Sequence, residues 1–196
     1  MSCWHRDGRR GFGLVVALAA ALWLADAAVT VALSQAEEAA AGDSRSSGLI
    51  ALPPGTEADR PSFLLDDLAG VQYELSKTRA NLVLVHFFAT WCEPCREELP
   101  ALQRLIQRDG SGNLAVLALS VGEPDERVRR FFATMPLSFP ILLDRDRAVA
   151  KIWGVQTLPS TFVLNRELKP RLMAEGEFEW DRFKPEELSE AVGSGH

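Results

Sequence analysis

The sequence predicts an α/β domain whose central β-sheet is covered by helices on both faces. Two apolar runs, at residues 82–88 and 114–121, are continuous rather than alternating, as is typical of strands buried on both sides. Apolar residues at helical spacing follow each run, and strand and helix signals alternate from there towards the C-terminus. This alternation favours a layered sheet with crossover helices.

Each remaining element has its own signal. A β-hairpin is predicted at the N-terminal end of the domain, because short apolar stretches flank an Asp-Asp-Leu-Ala-Gly loop at residues 66–70. Pro94 suits the first turn of a helix, and apolar residues from Val128 to Met135 fall at the spacing of a second helix. Further along, the pattern predicts a short strand, a short helix, a closing hairpin and a final helix, at residues 141–143, 149–153, 161–174 and 185–192.

The composition excludes three broad classes. With 196 residues, 47% hydrophobic and 24% charged, the chain is globular rather than disordered. The formal net charge of -6 and the isoelectric point near 5.2 leave no excess of positive charge for phosphate contacts, so no nucleic-acid partner is expected. Three cysteines are too few for a disulfide-stapled scaffold.

An apolar segment at residues 12–33 follows three arginines, which is typical of a signal peptide or a membrane anchor. Small-x-small cleavage sites at residues 25–27 and 34–36 support a signal peptide. An anchor is supported as well, because about 20 apolar residues span a bilayer. Arg9 and Arg10 resemble a twin-arginine signal, so the export route stays open. Both alternatives place the following domain outside the cytoplasm, because positive residues stay inside.

The chain divides into three predicted regions. Residues 1–36 form the signal peptide or N-terminal membrane anchor. Residues 37–58 are rich in Ala, Gly, Ser, Glu and Pro, as is typical of a flexible linker, and the apolar residues 49–52 are its one stretch suited to docking. Residues 59–196 form a single domain.

Cys92 and Cys95 form a Cys-x-x-Cys pair directly after the first buried strand. Such a pair serves as a redox dithiol, as half of a metal site or as a haem attachment site. Haem attachment requires histidine after the second cysteine, where this chain has Arg96. Zinc needs two more ligands, and most remaining candidates lie in the terminal segments. The sequence therefore favours a redox-active disulfide with no metal and no other cofactor.

The predicted helix gives the two cysteines different roles. Cys92 directly precedes it, where unpaired N–H groups and the positive end of the helix dipole stabilise a thiolate. Cys92 is therefore the predicted nucleophile. Cys95 lies one turn further in, placed to attack a mixed disulfide on Cys92 and release the reduced partner.

The segment Trp91-Cys92-Glu93-Pro94-Cys95 resembles the active-site motif of the thioredoxin superfamily, in particular its exported TlpA/ResA-like thiol:disulfide oxidoreductases. Further similar segments lie at residues 63–70, 87–91, 96–100, 139–144 and 154–162. The resemblance covers about residues 61–180. It implies a thioredoxin fold, with a central mixed β-sheet flanked by helices on both faces and an N-terminal β-hairpin.

The resemblance also implies a substrate-binding surface around the dithiol. Pro159 matches the family's cis-proline, which lies against the active-site disulfide, and Leu158 presents its backbone to a bound partner. Trp91 is expected to shield the nucleophile and to form part of the partner groove, with Glu93 and Pro94 beside it. Without the family, Leu158-Pro159 is an ordinary loop and Trp91 a half-buried aromatic residue.

Two titratable side chains are candidates for accepting the proton of Cys95. Glu98 matches an acidic residue that the family keeps near the dithiol, although with Glu93 and Glu97 it also fits a solvated acidic face. His86 departs from the pattern, since thioredoxin has aspartate there. It is expected below the dithiol, either as a proton acceptor or as a hydrogen-bonded core histidine.

These observations predict a periplasmic or otherwise extracytoplasmic thiol:disulfide oxidoreductase that acts through Cys92 and Cys95, and the resemblance implies that it reduces protein disulfides. The resemblance implies protein thiol substrates, such as the haem-binding pair of apocytochrome c in cytochrome c biogenesis or a metallochaperone. It also implies a membrane electron donor of the DsbD/CcdA kind, with membrane contact only through the N-terminal segment. Two alternatives stay open: a thiol peroxidase of a neighbouring thioredoxin-fold family, and a non-catalytic copper-binding or protein-binding module. The direction of electron flow stays open too.

Overall fold

The computed structural model describes residues 48–53, 55 and 60–193, and the structural statements that follow concern these residues. The strands are β1 (Ile50–Ala51), β2 (Leu64–Asp66), β3 (Gln72–Glu74), β4 (Leu82–Phe88), β5 (Leu114–Val121), β6 (Ile141–Asp144), β7 (Ser160–Leu164) and β8 (Pro170–Glu175). The α-helices are α1 (Glu93–Arg108), α2 (Asp125–Phe132), α3 (Ala148–Ile152) and α4 (Pro185–Gly193). Short 3-10 turns span Leu75–Lys77 and Trp180–Arg182.

A six-stranded sheet with the order β1-β8-β7-β4-β5-β6 forms the centre of the domain. β5 pairs in parallel with both β4 and β6, whereas β7 runs antiparallel to β4 and β8. β2 and β3 form a separate antiparallel hairpin. The predicted mixed sheet and N-terminal hairpin are confirmed.

Two hydrophobic clusters lie on opposite faces of the sheet, because side chains alternate along β4. Leu84 and Phe88 belong to the cluster that also contains residues of α1, α2 and α4. Val85 and Phe87 belong to the other, with Trp153 and residues of α3 and the hairpin. Helices therefore cover both faces, as predicted, and β4 is buried along its whole length.

The second helix is shorter than its apolar spacing predicts. α2 ends at Phe132, three residues before Met135. Pro136 follows Met135, and a residue that precedes proline is disfavoured in the helical region. Met135 instead packs against the core from a turn.

Residues 49–52 are predicted to be suited to docking, and the two central residues of this stretch do dock on the domain. Ile50 and Ala51 pair with Met173 and Leu172 of β8 and so complete one edge of the sheet. The predicted signal or anchor at residues 1–36 lies outside the described residues. In the part of the chain that the structure describes, no helix is long and apolar enough to cross a membrane.

Candidate active site

The two cysteines lie where β4 gives way to α1. The chain turns over residues 89–91, and the backbone N–H of Cys92 donates to the Ala89 carbonyl at 3.1 Å. Cys92 is the N-cap of α1, and its Sγ accepts a hydrogen bond from the Cys95 N–H at 3.3 Å. Cys92 and Cys95 are joined by a disulfide, with their Cα atoms 5.3 Å apart. The predicted helix start thus places one sulfur at the first unpaired N–H groups.

The two sulfurs differ in what can reach them. Cys92 is 6% exposed, whereas Cys95 is completely buried. Trp91, directly before the predicted nucleophile Cys92, is 64% exposed and is not the half-buried aromatic residue of the alternative interpretation. Glu93 is exposed and pairs with Arg96 at 3.1 Å, and Pro94 is half-buried in the first helical turn. A partner disulfide can therefore approach this pair only from the Cys92 side.

Leu158 and Pro159 lie beside this entrance. Their peptide bond is cis, as the resemblance implies. The Pro159 carbonyl accepts the Gly176 N–H at 2.8 Å, which ties the loop to the end of β8. Leu158 is half-buried and lines one groove together with Trp91. The fold therefore brings together two predicted partner-binding residues that are far apart in the sequence.

Glu98 is buried rather than part of a solvated face. It follows Cys95 by one helical turn and is only 3% exposed. The alternative of a solvated acidic face is therefore wrong for Glu98, although Glu93 and Glu97 are exposed. Its Oε1 accepts the backbone N–H of Phe178 at 2.8 Å, and its Oε2 accepts the indole N–H of Trp180 at 2.9 Å. Two donors from the segment after β8 thus hold the carboxylate in place.

Burial raises the pKa of Glu98 to about 7, and the nearby Glu177 carboxylate pushes it in the same direction. The two N–H donors from Trp180 and Phe178 favour the charged form and oppose this rise. Glu98 also lines a depression of about 220 Å³, which gives its proton a route to solvent. A group with this pKa changes its protonation state near neutral pH.

His86 is fully buried in β4, as predicted. Its Nδ1 lies 2.8 Å from Thr161 Oγ1 of β7 and 3.8 Å from Glu98 Oε2. Burial lowers the pKa of His86 to about 3, so the imidazole is neutral and the contact with Glu98 is not an ion pair at neutral pH. His86 Nε2 has no hydrogen-bond partner among the described residues.

Sequence reasoning missed Glu123 as a part of the site. Glu123 is 5% exposed and accepts hydrogen bonds from the Thr90 N–H at 2.7 Å, the Thr90 hydroxyl at 2.6 Å and the Ser120 hydroxyl at 3.1 Å. It thereby holds the turn that carries Trp91 and Cys92. A glutamate in a loop after a strand is ordinarily exposed, so nothing local signals this role.

Trp180 packs into the core cluster that also contains residues of α1. Its ring contacts Phe178, with 4.5 Å between ring centroids, and the side chain is fully buried. The hydrogen bond from its indole N–H to Glu98 has no signal in the local sequence.

Among the described residues, no group of three or more His, Cys, Asp or Glu side chains is arranged to hold a metal ion.

Comparison with known proteins identifies similar chains. Residues 56–171 match the AhpC/TSA family. The chain is 37% identical over 112 residues to the thiol-disulfide oxidoreductase ResA of Bacillus subtilis, an alignment that covers 57% of this chain and 63% of that protein. It is 35% identical over 116 residues to ResA of Geobacillus thermodenitrificans, covering 59% and 67%. The chain thus spans about two thirds of the length of these relatives.

A solved structure supports the same grouping. The putative thiol:disulfide interchange protein DsbE from Chlorobium tepidum superimposes with a TM-score of 0.61 and 25% identity, over 68% of this chain and 94% of that one. The predicted thioredoxin fold is confirmed.

Proposed function

Because this chain belongs to the AhpC/TSA family of thioredoxin-like proteins and to its ResA-like thiol-disulfide oxidoreductases, we propose that it reduces disulfides of extracytoplasmic proteins through Cys92 and Cys95. The observation that carries the proposal is the contrast between the two sulfurs of one disulfide. Cys92, at the start of α1, keeps 6% of its surface exposed, whereas Cys95 has none.

The reduced pair would act in two exchange steps. The Cys92 thiolate attacks one sulfur of the partner's disulfide, which forms a mixed disulfide and releases the other partner sulfur as a thiolate that takes a proton from solvent. Cys95 then loses its proton and attacks Cys92 Sγ. This step restores the Cys92–Cys95 disulfide and releases the second partner sulfur as a thiolate, which also takes a proton from solvent. The partner gains two electrons and two protons, and the protein loses two electrons and the Cys95 proton.

Glu98 is the proposed acceptor for the Cys95 proton. It lies one helical turn after Cys95, and its pKa of about 7 allows it to take a proton from one group and return it to solvent at neutral pH. His86, with its pKa lowered to about 3, stays neutral and packs beneath the carboxylate. This assigns His86 a structural role rather than that of a charged relay.

Reduction rather than oxidation is the proposed direction. Glu93, Glu97 and Glu98 all lie within the first turns of α1, and negative charge disfavours a neighbouring thiolate. Strong oxidants of this kind have a stabilised reduced form. Acidic neighbours act in the opposite sense and favour the disulfide in this protein.

The cellular setting follows from the sequence and the direction of transfer. We propose that residues 1–36 export the domain, as a cleaved signal or a retained anchor. Each turnover leaves the Cys92–Cys95 disulfide, so a membrane electron donor of the DsbD/CcdA kind would supply two electrons. The haem-binding cysteine pair of apocytochrome c, or a metallochaperone, is the proposed class of substrate.

The reduction potential tests both activity and direction. The full-length protein is equilibrated in dithiothreitol and glutathione buffers, and its thiols are trapped and counted by mass spectrometry. A potential near that of thioredoxin, about -270 mV, is expected for a reductant. A value near about -120 mV would reverse the proposed direction. A reduced protein that consumes peroxide but leaves an oxidised protein substrate unchanged would instead indicate a thiol peroxidase.

A further inference from the structure

A groove of about 440 Å³ opens beside the nucleophile. Trp91, which directly precedes Cys92, lines it together with Leu158, so a polypeptide whose disulfide reaches Cys92 passes close to this groove. Arg147 and Lys151 line the same groove. Two cations therefore lie next to the entrance of a protein whose net charge is -6.

The side chains of these two cations have no bonding partner among the described residues. Among the described residues, neither the Arg147 nor the Lys151 side chain forms a hydrogen bond or an ion pair. Most other arginines are paired with carboxylates: Arg145 binds Asp125 at 2.8 Å and Arg104 binds Asp181 at 2.6 Å. In an acidic chain, unpaired positive charge beside the active site is available to a partner.

The fold holds the two cations on one side of α3. The buried Asp144 carboxylate accepts the N–H groups of Val149 and Ala150, at 3.1 and 2.9 Å, which fixes the start of this helix. The Lys151 N–H donates to the Arg147 carbonyl at 3.0 Å, so the two residues are one turn apart, and both line the groove.

Arg147 is also placed by its backbone and by Gly122. Its φ is 62°, in the left-handed region that residues with a Cβ rarely adopt. Its side chain crosses Gly122, where a Cβ would lie only 2.2 Å from Arg147 Nε. Gly122 thus leaves the space in which the guanidinium stem lies.

We propose that this groove selects partner polypeptides that carry acidic side chains next to their disulfide. The inference rests on the proposed function, since the partner's disulfide must reach Cys92. A partner carboxylate in the groove meets two unpaired cations about one helical turn apart, and a neutral or basic segment gains nothing from them. Electrostatic complementarity of this kind chiefly affects the choice of partner and the rate of encounter.

The test compares two disulfide peptides that differ only in the residues flanking the cysteines, glutamate in one and glutamine in the other. Full-length reduced protein reacts with each, and acid-quenched samples give the second-order rate constants. The double variant Arg147→Gln/Lys151→Gln is compared with Lys169→Gln/Lys184→Gln, which removes two exposed lysines outside the groove and changes the net charge equally.

At low salt, the unmodified protein should react about tenfold faster with the glutamate peptide, since an exposed pair contributes about threefold. The groove variant should lose this preference and keep its rate with the glutamine peptide, while the control variant keeps both. About 1 M salt should abolish the preference. Equal rates for the two peptides, or an equal loss in the control variant, would overturn the selection proposal alone.

Two further outcomes separate the remaining explanations. If neither peptide reacts, the proposed function fails and the selection proposal fails with it. Oxidised glutathione, a small anionic disulfide, is the third substrate. A groove variant that slows glutathione as much as it slows the glutamate peptide would assign the cations to small anionic disulfides and overturn the polypeptide assignment.

Discussion

The two sides of the Cys92–Cys95 disulfide differ in exposure, charge and partners. On the Cys92 side, the exposed Trp91 and the unpaired cations Arg147 and Lys151 line an open groove. On the Cys95 side, a buried carboxylate is held by two N–H donors beside a neutral histidine. In the proposed mechanism, contact with a partner and the handling of a proton are thus divided between the two ends of one bond. A change on either side is expected to alter one step and leave the other unchanged.

The largest effect is expected from the cysteines themselves. Cys92→Ser removes the nucleophile and should lower disulfide reduction by at least about a thousandfold. Cys95→Ser should still form the mixed disulfide but fail to resolve it, so a covalent adduct with the partner accumulates and is detected by mass spectrometry.

Cys3→Ser is the matched control, since Cys3 lies in the predicted signal or anchor segment rather than in the Cys-x-x-Cys pair and should be dispensable for the reaction. If the adduct accumulates on Cys92→Ser instead of Cys95→Ser, then Cys95 is the nucleophile and Cys92 the resolving cysteine.

Glu98→Gln tests the buried side of the site. The resolution step should slow by on the order of tenfold to a hundredfold, which is at or below the smallest rate contribution usual for general acid-base catalysis. The rate of the first attack by Cys92 should not change. Because the pKa of Glu98 is raised to about 7, the carboxylate is protonated below that pH and cannot accept a proton. Resolution by the unmodified protein should therefore gain speed as the pH rises through about 7. Rapid-quench kinetics between pH 5 and 9 measures both steps.

The control for this variant is Glu97→Gln, the adjacent exposed carboxylate. It should keep the pH inflection that Glu98→Gln loses. The assignment of Glu98 fails if the inflection near pH 7 persists in Glu98→Gln.

Trp180→Phe gives a smaller and more specific change. Phenylalanine keeps an aromatic ring against Phe178 but removes the indole N–H that favours the charged form of Glu98. The pKa of Glu98 should rise, so the pH at half-maximal resolution rises as well. NMR of a labelled glutamate side chain reports this pKa directly.

Trp153→Phe is a matched comparison, because Trp153 is also buried and its indole N–H donates to the Pro61 carbonyl on the other face of the sheet. It should leave the pKa of Glu98 unchanged. An equal displacement in both variants would indicate a general loss of packing.

The smallest effect is expected at Asp181, in the turn that carries Trp180. Arg104 and Arg108 bind its carboxylate and lower its pKa to about 2. Because the pKa of Asp181 is lowered in the folded protein, its ion pairs stabilise the fold at pH values above 3.8, the ordinary pKa of the group. This stabilisation is lost as the pH falls towards 2. The groups are about half exposed, so Asp181→Asn should lower the free energy of unfolding at pH 7 by only about 0.5–1 kcal/mol.

Urea unfolding at pH 7 and at pH 2.5 measures this difference, which should shrink at the lower pH. Glu175→Gln is the control for the loss of one charge, because Glu175 is exposed at the end of β8 and forms no ion pair among the described residues. A destabilisation that is equal at both pH values would mean that the ion pair is not its cause.

Local patterns predicted the fold and the chemical centre of this protein. Continuous apolar runs identified β4 and β5, and Pro94 after Cys92 identified the helix start that makes Cys92 the proposed nucleophile, because each of these signals lies within a few neighbouring residues. The cis bond before Pro159 came from the resemblance, since its sequence alone is that of any loop proline.

The surroundings of the dithiol were decided by the tertiary structure. The contacts of Glu98 with Trp180 and of His86 with Thr161 join residues 82 and 75 positions apart. Spacing along the chain predicts which face of a helix or strand is buried, but it does not show which polar groups meet there. Strand register and helix packing bring those groups together, and burial then raises the pKa of Glu98. The groove beside Trp91 has the same origin, because α3 approaches the active site only in the folded domain.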